Sequence, residues 1–202
     1  LEKHIDTAII GGGISGLSAA IYTSQAGLTT TVFDTGKSQL KPISKVYNYP
    51  GFPEGISGKE LISKMTDQSK QFGTEIVAHQ VEKLERLTHS SEGSRFKLTF
   101  SSEEGGQQTL SAKYVIVASN IHLQPLKDLG IETEVSPAVP SGKISRVRGG
   151  SWNGETHIPG LYVAGLLSGI PTQSIIAAGQ GTQAAMEIIS AEKGKAHVWH
   201  DK

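Results

Sequence analysis

The string Gly11-x-Gly13-x-x-Gly16, set between an apolar strand and an apolar helix, constrains this chain more than any other feature. Residues 5–10 (Ile-Asp-Thr-Ala-Ile-Ile) are β-branched and apolar, as in a short buried strand. Residues 14–26 put Leu17, Ala20 and Ile21 at helical spacing, and Gly27 suits the C-terminal cap. Residues 29–34 (Thr-Thr-Thr-Val-Phe-Asp) read as a second strand. Strand, glycine turn, helix and strand within ~30 residues make a βαβ unit, hence two parallel strands and a right-handed crossover. In such a turn the first glycine permits the bend. The second lets backbone approach a pyrophosphate, and the third lets helix and strand pack closely. Free N–H groups at the helix start then face the phosphates. Asp34 ends the second strand about 20 residues on, where a carboxylate accepts ribose hydroxyls and disfavours a 2′-phosphate. This pattern points to NAD or FAD before NADP and does not choose between the two. The bland alternative is a glycine-rich turn that binds nothing.

Composition narrows the chemistry further. There is no cysteine in 202 residues. That removes disulfide frameworks, thiolate zinc sites, iron–sulfur clusters, cysteine nucleophiles and dithiol redox pairs. Nineteen Lys plus Arg balance nineteen Asp plus Glu, which argues against a nucleic-acid or acidic-membrane binder. Glycine, at 24 residues, is well above its usual ~7%. The first apolar run, residues 8–10, is too short for a signal-peptide core, and no window approaches the ~18 apolar residues of a spanning helix. A cytoplasmic location is the expectation.

Further along, residues 36–58 read as an ordered loop, rich in proline and glycine yet carrying Val46, Tyr47, Tyr49 and Phe52. Ser57 caps a helix expected over 58–72. Residues 74–87 form one loosely alternating extended segment. Residues 95–100 alternate strictly, with Phe96, Leu98 and Phe100 on one face, and 107–112 can pair back to complete an antiparallel meander. Residues 113–118 return as a buried strand. The stretch 120–159 carries turn residues and weak strand signals only. Residues 161–164 are another short buried strand, and 172–191 form a long helix with a Gly179-x-Gly181 break near its middle. The fold class is α/β: a Rossmann-like dinucleotide fold with a central parallel sheet and a three-stranded meander.

Four motifs in order resemble one family. Residues 47–61, Tyr-Asn-Tyr-Pro-Gly-Phe-Pro-Glu-Gly-Ile-Ser-Gly-Lys-Glu-Leu, resemble the loop and helix of low-molecular-weight thioredoxin reductases, as does the N-terminal βαβ unit. Residues 157–165 (His-Ile-Pro-Gly-Leu-Tyr-Val-Ala-Gly) and the helix from Thr172 are similar to the second FAD motif of those flavoproteins. Residues 114–120 resemble the strand that ends there in Ala-Thr-Gly. The resemblance implies FAD, with Gly11, Gly12, Gly13, Ile14, Ser15 and Gly16 around its pyrophosphate and Asp34 on the adenosine ribose. Val81 would meet the adenine through its backbone. Gln39, Leu40 and Asn48 would lie along the flavin end, and Ser119 stands where the family has threonine. Gly165 would sit by the ribityl chain. Gln173 and Ser174 would present N–H groups and a helix dipole to the flavin pyrimidine.

Three departures qualify the likeness. Only residues 121–156 lie where the family inserts an NADPH domain carrying its own fingerprint and a Cys-x-x-Cys pair; a βαβ unit alone takes about 30 residues, so a complete nicotinamide domain does not fit. Gly149-Gly150 is too isolated for a second fingerprint. Leu166 replaces the family aspartate that bonds the ribityl hydroxyls, and a lost contact of that kind costs about 1 kcal/mol. Asn120 replaces a glycine, which a left-handed turn would tolerate. The expectation is one FAD-binding domain over 1–202, with motifs in 1–120 and 155–191 and a short connection at 121–154.

Other tempting residues have plainer readings. His79, His89, His122 and His157 lack ligand spacing, and His197 to His200 is too sparse for a metal site. Residues 82–86 read as a solvated strand face, and Glu103 and Glu104 as a hairpin turn. Trp152 and Trp199 suit an edge or oligomer contact better than flavin stacking. No Gly-x-Ser-x-Gly elbow supports a hydrolase. The functional expectation is a thioredoxin reductase-like oxidoreductase that moves electrons through bound FAD without a dithiol. Free NAD(P)H or a reductase or acceptor protein would be its partner, with neither nucleic acid nor membrane, and a homodimer is in keeping with the family. The alternative is a non-enzymatic flavin- or nucleotide-binding sensor or subunit.

Overall fold

In the computed structural model, which describes residues 3–88, 93–101 and 105–200, β1 (Lys3–Ile10) runs through the glycine turn into α1 (Ile14–Gln25) and returns as β2 (Thr30–Phe33). β1 and β2 pair in parallel from Thr7↔Thr30 to Ile10↔Phe33, so the βαβ unit forms as the sequence predicts. A long strap, residues 35–57, then leads to α2 (Gly58–Gln71), whose cap Ser57 accepts a hydrogen bond from the Glu60 N–H at 3.1 Å. Val46 and Ile56 close the neck of the strap with paired backbone hydrogen bonds of 2.7 and 3.1 Å.

The segment 74–87 is two strands rather than one. β3 (Glu75–Val77) adds to β2 in parallel, whereas β4 (Val81–Arg86) joins β5 (Phe96–Ser101) in antiparallel. Its loose alternation reflects this change of partner at residues 78–80. Residues 107–112 and 113–118 are, conversely, one strand, β6 (Gln107–Val117). Its first half pairs with β5 and completes the meander, and β1 lies along its other edge from Leu110 to Val117. Beyond it come the short helix α3 (Gln124–Asp128), the hairpin β7 (Thr133–Val135) and β8 (Ser145–Val147), and β9 (Leu161–Val163). β9 pairs in parallel with the second half of β6. A 3₁₀ turn (Gly165–Ser168) and α4 (Ser174–Lys193) complete the order. His89, Glu103 and Glu104 lie outside the described residues.

The described residues form a seven-stranded sheet of order β3-β2-β1-β6-β5-β4, with β9 beside β6. Alternation along each strand sorts the core into two sides. Ile9, Val32 and Ile116 face α1 and α4, meeting Ala19, Ala20, Ala184, Ala185, Ile188 and Ile189. Ala8, Ile10, Phe33, Val115, Val117, Leu161 and Val163 face the meander and α3. Ile188 and Ile189 are fully buried, each contributing about 1.5–3 kcal/mol to holding α4 on the sheet.

The pair Gly179 and Gly181 does not break α4, which is continuous over its 20 residues. Gly181 serves contact instead: a Cβ there would overlap the Ser15 carbonyl oxygen, so the two helices meet backbone to backbone. Asn120 does not take a left-handed conformation, since no described residue other than glycine has positive φ. Its side chain works instead, the Oδ1 accepting the Ser145 N–H of β8 at 3.0 Å.

Candidate functional site

Five neighbouring parallel strands end together, and backbone hydrogen bonds lace their ends. Gly11 donates to the Phe33 carbonyl (2.8 Å), Asp34 to Val77 (2.9 Å), Ala118 to Ile10 (2.8 Å) and Ala164 to Val117 (2.9 Å). β2 and β3 lie to one side of β1 while β6 and β9 lie to the other. That is the switch point at which parallel sheets open a crevice at their carboxyl ends. A cleft of about 580 Å³ occupies this place, within the ~300–1,000 Å³ usual for cofactor sites.

Its floor is built by omission of side chains. Gly11 has φ +114°, and a Cβ there would come 2.9 Å from the Ala118 carbonyl oxygen. A Cβ on Gly12 would come 2.5 Å from Asp34 Cγ, so the glycine makes room for the carboxylate. Asp34 Oδ1 accepts the Gly36 N–H at 3.0 Å, which fixes the side chain at the head of the strap.

Two helices aim their amino ends at the cleft, and both leave their first N–H groups unspent. α1 starts from Gly13 with no side-chain cap and no acid in its first turn. α4 starts from Gln173 in the same state, but the Gln173 N–H itself donates to the Pro171 carbonyl at 2.8 Å, so against the sequence expectation only the N–H groups from Ser174 onward are free for a ligand. Each end therefore offers N–H donors and a partial positive charge to an anionic group.

The remaining walls come from distant segments. The strap supplies Lys37, Ser38, Gln39, Leu40, Ile43 and Lys45 to Asn48. Asn48 Nδ2 reaches across and donates to Gln173 Oε1 at 2.8 Å. The 3₁₀ turn brings Gly165 and Leu166. Gly165 has φ +69°, and a Cβ there would fall 2.5 Å from Ser15 Oγ. Its N–H donates to Gln180 Oε1 at 2.6 Å, and Gln180 Nε2 donates to the Val163 and Trp152 carbonyls, both at 3.3 Å. Gln180 is fully buried, and these bonds make it the fixing point of the turn.

Every residue the sequence singles out for the cofactor lines this cleft, except one: Gly11, Gly12, Gly13, Ile14, Ser15, Asp34, Gln39, Leu40, Asn48, Val81, Ser119, Gly165, Gln173 and Ser174 are all there. Gly16 stands behind it, in α1, where a Cβ would overlap the Gly11 carbonyl. Its part is the helix–strand packing, not the cleft wall. Sequence reasoning passed over His79 and His122, which line the cleft, and Lys37, Lys45 and Tyr47 on the strap. It also passed over Gln180. A wheel through 180, 184 and 188 would have found it, as a polar side chain on the stripe that buries Ala184 and Ile188.

Several groups stand apart from the cleft. Trp199 packs edge-on against Tyr22 and Phe72, with centroids 5.0 and 5.4 Å away. Trp152 does not line the cleft. Burial beneath α4 pushes the Tyr162 phenol up to about 12, with the Glu155 carboxylate adding to the effect. No group of three or more His, Cys, Asp or Glu among the described residues could hold a metal. No helix among them is long and apolar enough to cross a membrane.

Comparison with known proteins agrees with this geometry. The family described as pyridine nucleotide-disulphide oxidoreductase matches residues 5–131. The thioredoxin reductase of Penicillium chrysogenum is 34% identical over 137 residues, covering 64% of this chain and 40% of that protein. That of Bacillus subtilis is 33% identical over 135 residues, covering 66% and 38%. The chain thus spans about 40% of the length of the curated relatives it matches. A thioredoxin reductase structure from Gloeobacter violaceus superposes with a TM-score of 0.72 at 19% identity, covering 100% of each chain, which is a likeness of fold. The family match over residues 5–131 contains the glycine turn, Asp34, the strap and the end of β6, the parts that build most of the cleft. The chain belongs to the pyridine nucleotide-disulphide oxidoreductase family, and within it is thioredoxin reductase-like.

Proposed function

We propose that the chain forms one FAD-binding domain over 1–202 and serves an oxidoreductase that passes electrons through the bound flavin, without a dithiol of its own. One observation carries the reading: a single cleft runs from Asp34, past the uncapped start of α1, to the uncapped start of α4. An adenosine ribose at Asp34, a pyrophosphate at α1 and a ring at α4 would follow that order. The residues fit the group, because the glycine floor gives the room that phosphates need and the strap and 3₁₀ turn wall the remainder.

FAD supplies hydride and single-electron transfer when bound. The chain's own part is to hold and orient it. Asp34 accepts ribose hydroxyls, and the α1 amino end neutralises phosphate charge. The N–H of Ser174 and the amino end of α4 favour negative charge on the pyrimidine side of the ring, the Gln173 N–H being taken by the Pro171 carbonyl. Donor and acceptor would be free NAD(P)H or a partner protein meeting the open mouth of the cleft. A homodimer and a cytoplasmic location belong to the same proposal.

Leu166 favours the second reading, a flavin- or nucleotide-binding sensor or subunit without turnover. It lines the cleft with a side chain that accepts no hydrogen bond. The visible spectrum of the purified protein, followed by anaerobic NADH and NADPH titration, separates the possibilities. Bound FAD that bleaches on titration supports electron transfer. Bound FAD without bleaching or acceptor turnover supports the sensor. A colourless protein that takes up no FAD refutes electron transfer through flavin and the flavin-binding form of the second reading.

A further inference from the structure

Three lysines recur at four-residue intervals along the strap: Lys37, Lys41 and Lys45. Against them residues 35–57 hold a single acid, Glu54, in a chain whose charges otherwise balance. Among the described residues none of the three ammonium groups pairs with a carboxylate, whereas Lys3, Lys64 and Lys113 each do. Lys41 folds back instead, its Nζ donating to the Gly36 carbonyl at 3.0 Å.

Exposed apolar side chains stand among these charges. Ile43 and Tyr47 on the strap are 45% and 68% exposed, and Ile121, just beyond β6, is 53% exposed. All three border the cleft together with Lys37 and Lys45, so they form its rim. The rim is built. Val46 turns into the core through its bridge to Ile56, and alternation sends Lys45 and Tyr47 outward on either side of it. Lys45 Nζ lies 5.3 Å from the centre of the Tyr47 ring, within range of a cation–aromatic attraction. Gly55 lies against that ring, since a Cβ there would come 3.0 Å from it. A large aromatic face is thus held in place and left in water.

A small donor is taken into a concavity, whereas large apolar groups held out on a charged rim mark contact with another macromolecule. Lysines without carboxylates complement an acidic surface, and charges at a rim act chiefly on the rate of encounter. The α4 end of the cleft lies behind this rim, because Asn48, next to Tyr47, bonds to Gln173. Resting on the FAD reading above, we propose that the Lys37–Lys41–Lys45 rim docks a small acidic one-electron carrier protein, with Ile43, Tyr47 and Ile121 as the apolar centre of the contact. Each encounter passes one electron from the carrier, which is oxidised, to the ring. Two encounters, with protons taken from water, reduce the ring fully. Contacts of this kind are small, below about 1,200 Å².

The test uses the full chain saturated with FAD and mixed anaerobically with photoreduced plant-type ferredoxin, an acidic one-electron donor. Reduction is read per bound flavin, so weaker FAD binding does not imitate a lost encounter. The second-order rate constant should fall at least about tenfold between about 20 and about 300 mM salt. The triple variant Lys37→Glu, Lys41→Glu, Lys45→Glu should be about tenfold slower at low salt and lose that fall. Lys37→Arg, Lys41→Arg and Lys45→Arg together should keep both rate and fall, which separates lost charge from lost fold. Ile121→Ser should slow transfer about threefold with the salt slope unchanged. A wild-type rate indifferent to salt would overturn the proposal, as would a glutamate variant as fast as wild type. Sedimentation with phosphatidylserine vesicles in place of any ferredoxin effect would assign the rim to a membrane and overturn it too. If the wild type takes up no FAD, the functional reading falls as well; if it takes up FAD and charge reversal changes nothing, only the carrier falls.

Discussion

Below the cleft, backbone meets backbone. Gly16 lies against the Gly11 carbonyl, Gly181 against the Ser15 carbonyl, and Gly11 close to Ala118, with no space for a methyl group at any of the three. Above it, residues 35–57 are held by a two-bond neck at Val46 and Ile56 and by the Asn48–Gln173 bond between side chains. The floor thus fixes where phosphates and strand ends stand. The strap fixes what the far end of the ligand looks like. The floor leaves no room for a side chain at these three glycines; the strap is as close where its Leu40 carbonyl meets Gly58, while strap residues such as Tyr47 are exposed.

The sharpest way to break that contrast is a single methyl group in the floor. Gly16→Ala and Gly181→Ala should each cost about 3 kcal/mol or more, because the colliding atoms are backbone oxygens that cannot swing aside. A melting temperature within a degree or two of wild type would show the floor to be softer than its contacts. Asp34→Asn comes next. It keeps an oxygen for the Gly36 N–H but loses the carboxylate, so FAD should bind about tenfold more weakly while FMN, which lacks the adenosine, binds as before. A parallel loss for FMN would move Asp34 out of the adenosine end.

Leu166→Asp should act in the opposite direction. A carboxylate on the 3₁₀ turn restores an acceptor for ribityl hydroxyls, worth about 1 kcal/mol, or roughly fivefold tighter FAD. No gain in a titration would mean that other groups already satisfy that part of the ligand. The smallest effect lies at the far ends of the strands. The Lys3 ammonium, bonded to Glu75, holds its carboxyl below its usual value, helped by Thr31. A folded-state pKa below the unfolded one gives stability that is present above the ordinary carboxylate range and lost as pH falls through the folded value. Both side chains are about half exposed (54% and 48%), so Glu75→Gln should cost only a few tenths of a kcal/mol at neutral pH. That difference should close in urea titrations as pH falls below the ordinary carboxylate range and through the lowered folded value, with FAD affinity unchanged.

Most of the floor was readable from the chain because its physics is local. Glycines at fixed offsets, a strand before them, a helix after and an acid at the next strand's end all fall within residues 5–34. The cap at Ser57 was readable for the same reason. What escaped depended on partners far away in sequence. Residues 74–87 divide because β3 finds β2 and β4 finds β5. Gln180 matters because Gly165, Val163 and Trp152 fold back onto α4. His79 and His122 reach the cleft only because residues 78–80 and 118–122 border the same strand ends. Gly181 signalled a break under helix propensity alone, and packing against Ser15 reversed its meaning.

β6 and β9 lie side by side in parallel, Val115 against Leu161 and Val117 against Val163. The chain that leaves the end of one strand must therefore come back to the start of its immediate neighbour, whatever lies between. Here that excursion holds α3 and the β7–β8 hairpin, moored by Asn120 to Ser145. Closure entropy grows slowly with length, each doubling adding only about 0.6 kcal/mol. The β6–β9 pair is thus a socket: a hairpin or an entire folded module can be plugged in or withdrawn there while the register of the sheet, and the crevice at its end, stays as it was.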